Sequence, residues 1–336
     1  MSAGAPFFRR LYPNMSAAGI IAVVLVALVV LAAALLWRRS AARSVLGGAR
    51  AWWDAPASPP AQKKIRAYAQ RSIVPSLRPS DRKAFSRHLS RALKGRGLGG
   101  LRKVMRRSAL AGAAAGRGDS GRAQARARKI VGLLPKGASG PYLDLGCGDG
   151  SITVAVGEAL GAPCPTCVEV GSPPPGFPES VRRVDAAEMG ELPAGRFGVV
   201  TALMSLHHVP DAKKAVAEVA RLVRPGGSVV IREHDLGAAP RSLTPRGARE
   251  YLDWVHILYD LAESGEPAPR AEYRPPKEWR SMFADAGLTS AGRAPGNTDR
   301  VFSYYEVFSA PAPSSGRTKT LGSSVEGSPG VAPGFR

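Results

Sequence analysis

The stretch PYLDLGCGDG, residues 141–150, runs on as SITVAVGEAL to residue 160 and reads as strand, glycine loop and helix. Pro141 to Leu145 is short and apolar apart from Asp144, and reads as a buried strand. Gly146, Gly148 and Gly150 then let the backbone turn tightly before an apolar helical run. Such a turn brings backbone N–H groups and a helix N-terminus close to a ligand. The dinucleotide fingerprint G-x-G-x-x-G is missed, because Ser151 stands where its third glycine belongs. The acid just before the loop, Asp144, points elsewhere.

Asp144, Gly146, Gly148 and Gly150 in the spacing D-x-G-x-G-x-G resemble motif I of class I S-adenosylmethionine-dependent methyltransferases. Four later segments resemble the same family in order. TCVEV resembles its second strand and ends near Glu169, 23 residues after Gly146. VRRVDAAEMGELP resembles the third strand and following loop, with Asp185 at its tip. FGVVTALMSLHHVPD and ARLVRPGGSVVIREHD resemble strands four and five of the type 11 branch. Within that branch IREHD, REYLDWVHILYDLAE, YRPPKEWRSMFADAGL and a final YYEVF are similar to methyltransferases of large DNA viruses.

The resemblance covers residues 120–310. It implies an α/β fold with a doubly wound, mostly parallel, seven-stranded Rossmann-like sheet, and S-adenosylmethionine as cofactor. The cofactor residues it implies are Asp144, Gly146, Cys147, Gly148, Gly150, Glu169 and Asp185. Asp144 would order the loop or meet the methionine amino group, Glu169 would hold the ribose hydroxyls, and Asp185 would read the adenine. The family's helix after strand two is replaced by GSPPPGFPES, whose Pro173, Pro174, Pro175 and Pro178 favour an extended loop. Gly198 also stands where the family has an Asp.

Methyl transfer from a sulfonium is an in-line displacement, so alignment does most of the work. A base is needed only where the acceptor carries a proton at neutral pH. Candidates past strands four and five are His207, His208, His234 and Asp235. His234 and Asp235 read either as a base with its neighbour or as a packed histidine beside a structural acid. Of His207 and His208, one is expected to pack and one to face the acceptor. His256 lies on a helix face with Leu252 and Tyr259, as lid or core. The acceptor itself is unidentified: a small molecule or lipid is favoured, with RNA and protein open.

The 336 residues suffice for one ordinary core with extra segments, or two small domains. Charge is uneven: residues 1–130 hold 26 Lys/Arg and 3 acids, whereas 131–336 hold 21 and 23. Residues 17–37, AAGIIAVVLVALVVLAAALLW, carry no charge and as a helix would span roughly 30 Å, a bilayer's hydrocarbon thickness. A signal peptide is the rival reading, but the run is long and lacks a small-x-small cleavage site. Arg38, Arg39, Arg43 and Arg50 follow it, which places the body in the cytoplasm by the positive-inside rule. Residues 1–16 are then a short leading segment and 38–119 a basic stem or linker.

Within that stem Ser80 is positioned to cap a helix to Lys94, with Phe85, Leu89 and Leu93 on one face. Anionic lipid, nucleic-acid phosphate and a solvated linker compete as its role. Aromatics for base stacking are limited to Tyr68 and Phe85 across 61–130, which disfavours single strands. The other class of function is a noncatalytic, membrane-tethered scaffold. Three cysteines exclude a disulfide-stapled secreted domain. Cys164 and Cys167 form a lone C-x-x-C without the further ligands zinc needs, and read as ordinary thiols. No metal is expected, and 311–336 reads as a disordered tail.

Overall fold

The computed structural model describes residues 52–113, 120–263, 265–296 and 298–312. In chain order come helices α1 (Pro59–Ser72), α2 (Pro79–Ala92), α3 (Gly99–Ala113) and α4 (Ser120–Val131), then strand β1 (Tyr142–Leu145). Helix α5 (Ser151–Leu160) leads to β2 (Thr166–Glu169), β3 (Arg182–Asp185) and β4 (Phe197–Leu203). After α6 (Ala212–Leu222) and β5 (Val223–His234) the chain forms α7 (Pro245–Glu263) and α8 (Pro276–Asp285). It ends in β6 (Thr289–Pro295), α9 (Thr298–Val301) and β7 (Ser303–Ser309). These elements make two compact units, one from the described parts of 1–117 and 240–270, the other from those of 118–239 and 271–336.

The second unit carries a seven-stranded sheet in the order β3-β2-β1-β4-β5-β7-β6. Strands β1 to β5 are parallel, and β7 runs antiparallel to both neighbours. This is the mostly parallel, seven-stranded α/β sheet that the motif order implies. Alternation along buried strands sends neighbours to opposite faces. Val200, Val229 and Ile231 pack with Val216, Val219, Trp279 and Phe283 on one side. Val199 and Val230 pack with Ile130, Ala155 and Val156 on the other.

Between β2 and β3 no helix forms among residues 170–181. The prolines there lack the N–H a helix needs. The segment instead lays Phe177 and Pro178 against Gly150, where an added Cβ would come within 2.9 Å of the Pro178 ring.

The first unit is helical. Ile65, Tyr68, Phe85, Leu89, Leu101, Val104, Tyr251 and Leu258 are buried in it. The Tyr68 ring meets Tyr251 and Tyr259 edge-on at 6.1 and 6.2 Å, and the Ser58 N–H donates to Glu250 Oε2 at 2.9 Å. The described part of the basic stem is thus three helices with one buried side each. Ser80 lies inside α2 instead of capping it: the helix starts at Pro79, whose fixed φ suits a first turn. Among the described residues no helix is long and apolar enough to cross a membrane. Residues 1–16, the apolar run 17–37 and the tail from 313 onward lie outside the described residues.

Candidate active site

The C-terminal ends of β1, β2 and β4 converge on the glycine loop. Gly146 takes φ +78°, and a Cβ there would sit 2.4 Å from the Ser205 Cβ, so only glycine lets the loop pass. Ser205 Oγ donates to the Leu145 carbonyl at 2.7 Å and holds the β4 sequel against it. Met204, just before, has φ +63°, a strained setting for a non-glycine residue at a strand end. Gly148 has φ +58° with nothing within 4 Å of where a Cβ would stand. The loop therefore has an open side.

Asp144 is 2% exposed and does not reach that side. Its Oδ1 accepts from Thr201 Oγ1 at 2.6 Å and its Oδ2 from Thr153 Oγ1 at 2.7 Å. Tyr142 Oη lies 2.7 Å from Thr201 Oγ1 and completes a buried network. Burial raises the Asp144 carboxyl above its ordinary range, against the pull of the two threonine hydroxyls. Its carboxylate thus ties β1 to β4 and to the first turn of α5, beside the glycine loop.

Glu169 stands at the tip of β2, half-buried. Its Oε2 accepts the Gly148 N–H at 2.9 Å and its Oε1 the Val170 N–H at 2.9 Å. Val170 beside it is 70% exposed, an apolar face that sequence reasoning passed over. Asp185 lies directly across from Glu169 in the β2–β3 register, and its Oδ1 caps Ala187 N at 2.9 Å. Cys147 and Cys167 are joined as a disulfide with Cα atoms 5.8 Å apart, and Cys164 is free and exposed. This corrects the reading of Cys167 as an ordinary thiol beside Cys164. Parallel pairing sets Cys167 beside Asp144, and the loop carries Cys147 back over it.

Past β4 the two histidines divide. His207 is 1% exposed, and its Nδ1 lies 2.5 Å from Glu233 Oε2. Glu233 Oε1 accepts the Leu206 N–H at 3.1 Å. His208 is exposed, with its ring centroid 4.3 Å from that of His207. His234 is 1% exposed, and its Nδ1 donates to the Val301 carbonyl at 2.6 Å. Asp235 caps Gly237 N at 2.9 Å and pairs with Arg293 Nη2 at 2.6 Å. Of the two readings of this pair, these contacts are those of a packed histidine beside a structural acid: the ring bonds within the core, and the acid holds a turn and an arginine.

Loss of the His234 ring leaves the Val301 carbonyl without this donor in a buried setting. His234→Ala is therefore expected to cost about 1–3 kcal/mol in urea unfolding, with donor affinity unchanged by calorimetry. Unaltered stability would place the ring outside the packed network.

Glu233 was not singled out in the sequence, although a carboxylate in the apolar run VVIREH demands a buried partner. Burial pushes it up to about 8 from 4.5, against the pull of His208 and of nearby N–H groups. Between those values the folded chain keeps a proton that the unfolded chain has lost, so stability is lost as pH rises through about 8. Burial holds His207 well below its ordinary 6.5, so its own effect lies on the acid side. From pH 6.5 to 8 the melting temperature is expected to fall for the wild-type chain and stay level for Glu233→Gln. Parallel curves would mean that this carboxyl ionises normally.

Residues 120–291, just over half of the chain, match the family model described as a methyltransferase domain. The chain belongs to that methyltransferase domain family. The ubiquinone biosynthesis O-methyltransferase of Pseudomonas paraeruginosa is 35% identical over 159 residues, 44% of this chain and 63% of that one. The protein of the same description from Methylococcus capsulatus is 33% identical over 164 residues, 45% and 63%. The methyltransferase chain thus spans less than two thirds of the length of these relatives. An S-adenosylmethionine dependent methyltransferase from Mesorhizobium loti aligns at TM-score 0.41 and 17% identity over 54% of this chain and 96% of that one.

S-adenosylmethionine is the cofactor of this methyltransferase domain. The open side at Gly148, the acid at the β2 tip and the bare Val170 face fit a nucleoside-bearing donor.

Proposed function

We propose that the protein methylates a hydroxyl group on a small or lipid-soluble acceptor, using S-adenosylmethionine, in a cytoplasmic domain tethered to a membrane by residues 17–37. One observation carries the reading: an open glycine loop under Glu169 shares a sheet edge with an exposed histidine, His208, backed by a buried His207–Glu233 pair. The description of the relatives as O-methyltransferases supports the choice of oxygen as acceptor atom.

The donor supplies an electrophilic methyl group on a sulfonium. The chain's residues supply alignment and one proton acceptor. Glu169 exchanges the Gly148 N–H for ribose hydroxyls, Asp185 stands across from it for the adenine amino group, and Val170 covers the ring. Desolvation at the sheet edge pulls the His208 imidazole below its ordinary range even though the side chain is exposed, while the acidic groups of Glu233 and Glu169 oppose the shift. The ring is then neutral near pH 7 and takes the acceptor's hydroxyl proton. His207 holds His208 in place and does not touch the acceptor.

The test is incubation of the purified full-length protein with methyl-labelled donor and fractionated cell extract. Label in a hydroxylated small-molecule or lipid fraction is the expected result. Label confined to RNA or protein, or no transfer at all, overturns it. Carbonate extraction of membranes tests the tether, since a cleaved or untethered chain would be released.

A further inference from the structure

The helical unit has a cationic face that methyl transfer does not use. In α2, Asp81, Phe85, Leu89 and Ala92 are buried, while Lys83, Arg87 and Arg91 are exposed. At about 100° per residue these three cations fall within one stripe of about 80°, opposite the buried side. In α3, Leu101, Val104 and Met105 are buried, and Arg102, Lys103, Arg106 and Arg107 line a cavity of about 380 Å³ with Gly99 and Glu266. Where the helices cross, an added Cβ on Gly100 would strike the His88 ring.

Two acids sit in this field. Asp81 Oδ1 accepts from Arg107 at 3.0 Å, and Glu266 pairs with Arg102 and with Arg106 at 2.5 Å. Lys83, Arg87, Arg91 and Lys103 pair with no acid among the described residues. Desolvation and the charges of Arg87, Arg91 and Arg107 hold His88 below its ordinary range, so cations of both helices act on one point.

We propose that the α2–α3 face is a docking surface for an anionic bilayer and that its cleft receives lipid phosphate groups. Charge complementarity supplies the attraction. The apolar run 17–37 ends 21 residues before α1, a tether that reaches at most about 75 Å. Single-stranded nucleic acid fits less well, because Tyr68 and Phe85 are each 1% exposed and offer no stacking platform. Phosphate competes with Glu266 for Arg102 and Arg106, the two arginines that it bridges. The surface stands whether or not the donor site is active.

The test uses the full-length protein with vesicles of phosphatidylcholine alone or with phosphatidylglycerol added. Labelling of lysines by an amine-reactive reagent is read by peptide mass. Labelling of Lys83 and Lys103 is expected to fall about tenfold on the anionic vesicles only, and to recover in high salt. The double variant Lys83→Glu, Arg87→Glu, altered only on exposed positions, is expected to lose protection at Lys103 without a change in melting temperature. Equal labelling on both vesicle types overturns the proposal, as does protection that survives in the double variant. Protection by inorganic phosphate alone would reassign the cleft to a small anion, and stronger protection by an oligonucleotide would reassign it to nucleic acid.

Discussion

Gly148→Arg is expected to weaken S-adenosylmethionine binding by about 100-fold or more, equivalent to about 3 kcal/mol, while the protein still folds. The position combines φ +58° with empty space on its outer side. A side chain there costs about 1–2 kcal/mol of local backbone strain, but it meets no core. It projects instead over the loop, within reach of Glu169, whose Oε2 already accepts the Gly148 N–H. A guanidinium drawn to that carboxylate would cover the acid and the cradle together. Calorimetric titration of both proteins checks the point, alongside melting curves to show folding. Saturable heat of wild-type size in the variant would remove the donor from this loop, and with it the enzymatic reading.

His208→Ala is expected to lower turnover by about 10²–10⁴-fold, the usual yield of a positioned base, and to leave donor affinity within twofold or so. His208 is the exposed member of the histidine cluster, and neither His207 nor His234 reaches solvent. Its lowered pKa adds a pH signature: the activity of wild-type protein stays level down to below the usual imidazole range before it falls. His207→Gln separates the roles, since it changes the support and not the proton acceptor; a smaller loss of turnover with an altered pH profile is expected. Equal turnover in His208→Ala and wild type would mean that the acceptor needs no base or finds it elsewhere.

Much of the sheet was legible because its cues are local. A short, mostly apolar strand, three glycines and an apolar helical run define one unit, and the order of later segments follows the family they resemble. The loop after β2 was legible for the same reason, since four prolines exclude a helix by covalent structure. The buried carboxylate was not. In REHD His234 and Asp235 stand out, but pleating sends neighbouring side chains to opposite faces, and it is Glu233 that meets His207. Cys147 and Cys167 lie 20 residues apart in sequence and meet only because β1 and β2 are parallel neighbours. The pairing of α7 with α1 left no trace in either segment's periodicity, which records that a face is apolar and not what covers it.

That pairing governs how the chain can be cut. A fragment that begins at residue 118 looks like a tidy catalytic piece, yet it keeps α7 and discards α1, α2 and α3. Tyr251 and Tyr259 would lose the ring they abut, and Glu250 the amide it receives. Such a truncation bares an oily ridge in the middle of the polypeptide, and precipitation of the shortened product would report on that wound and not on methyl transfer.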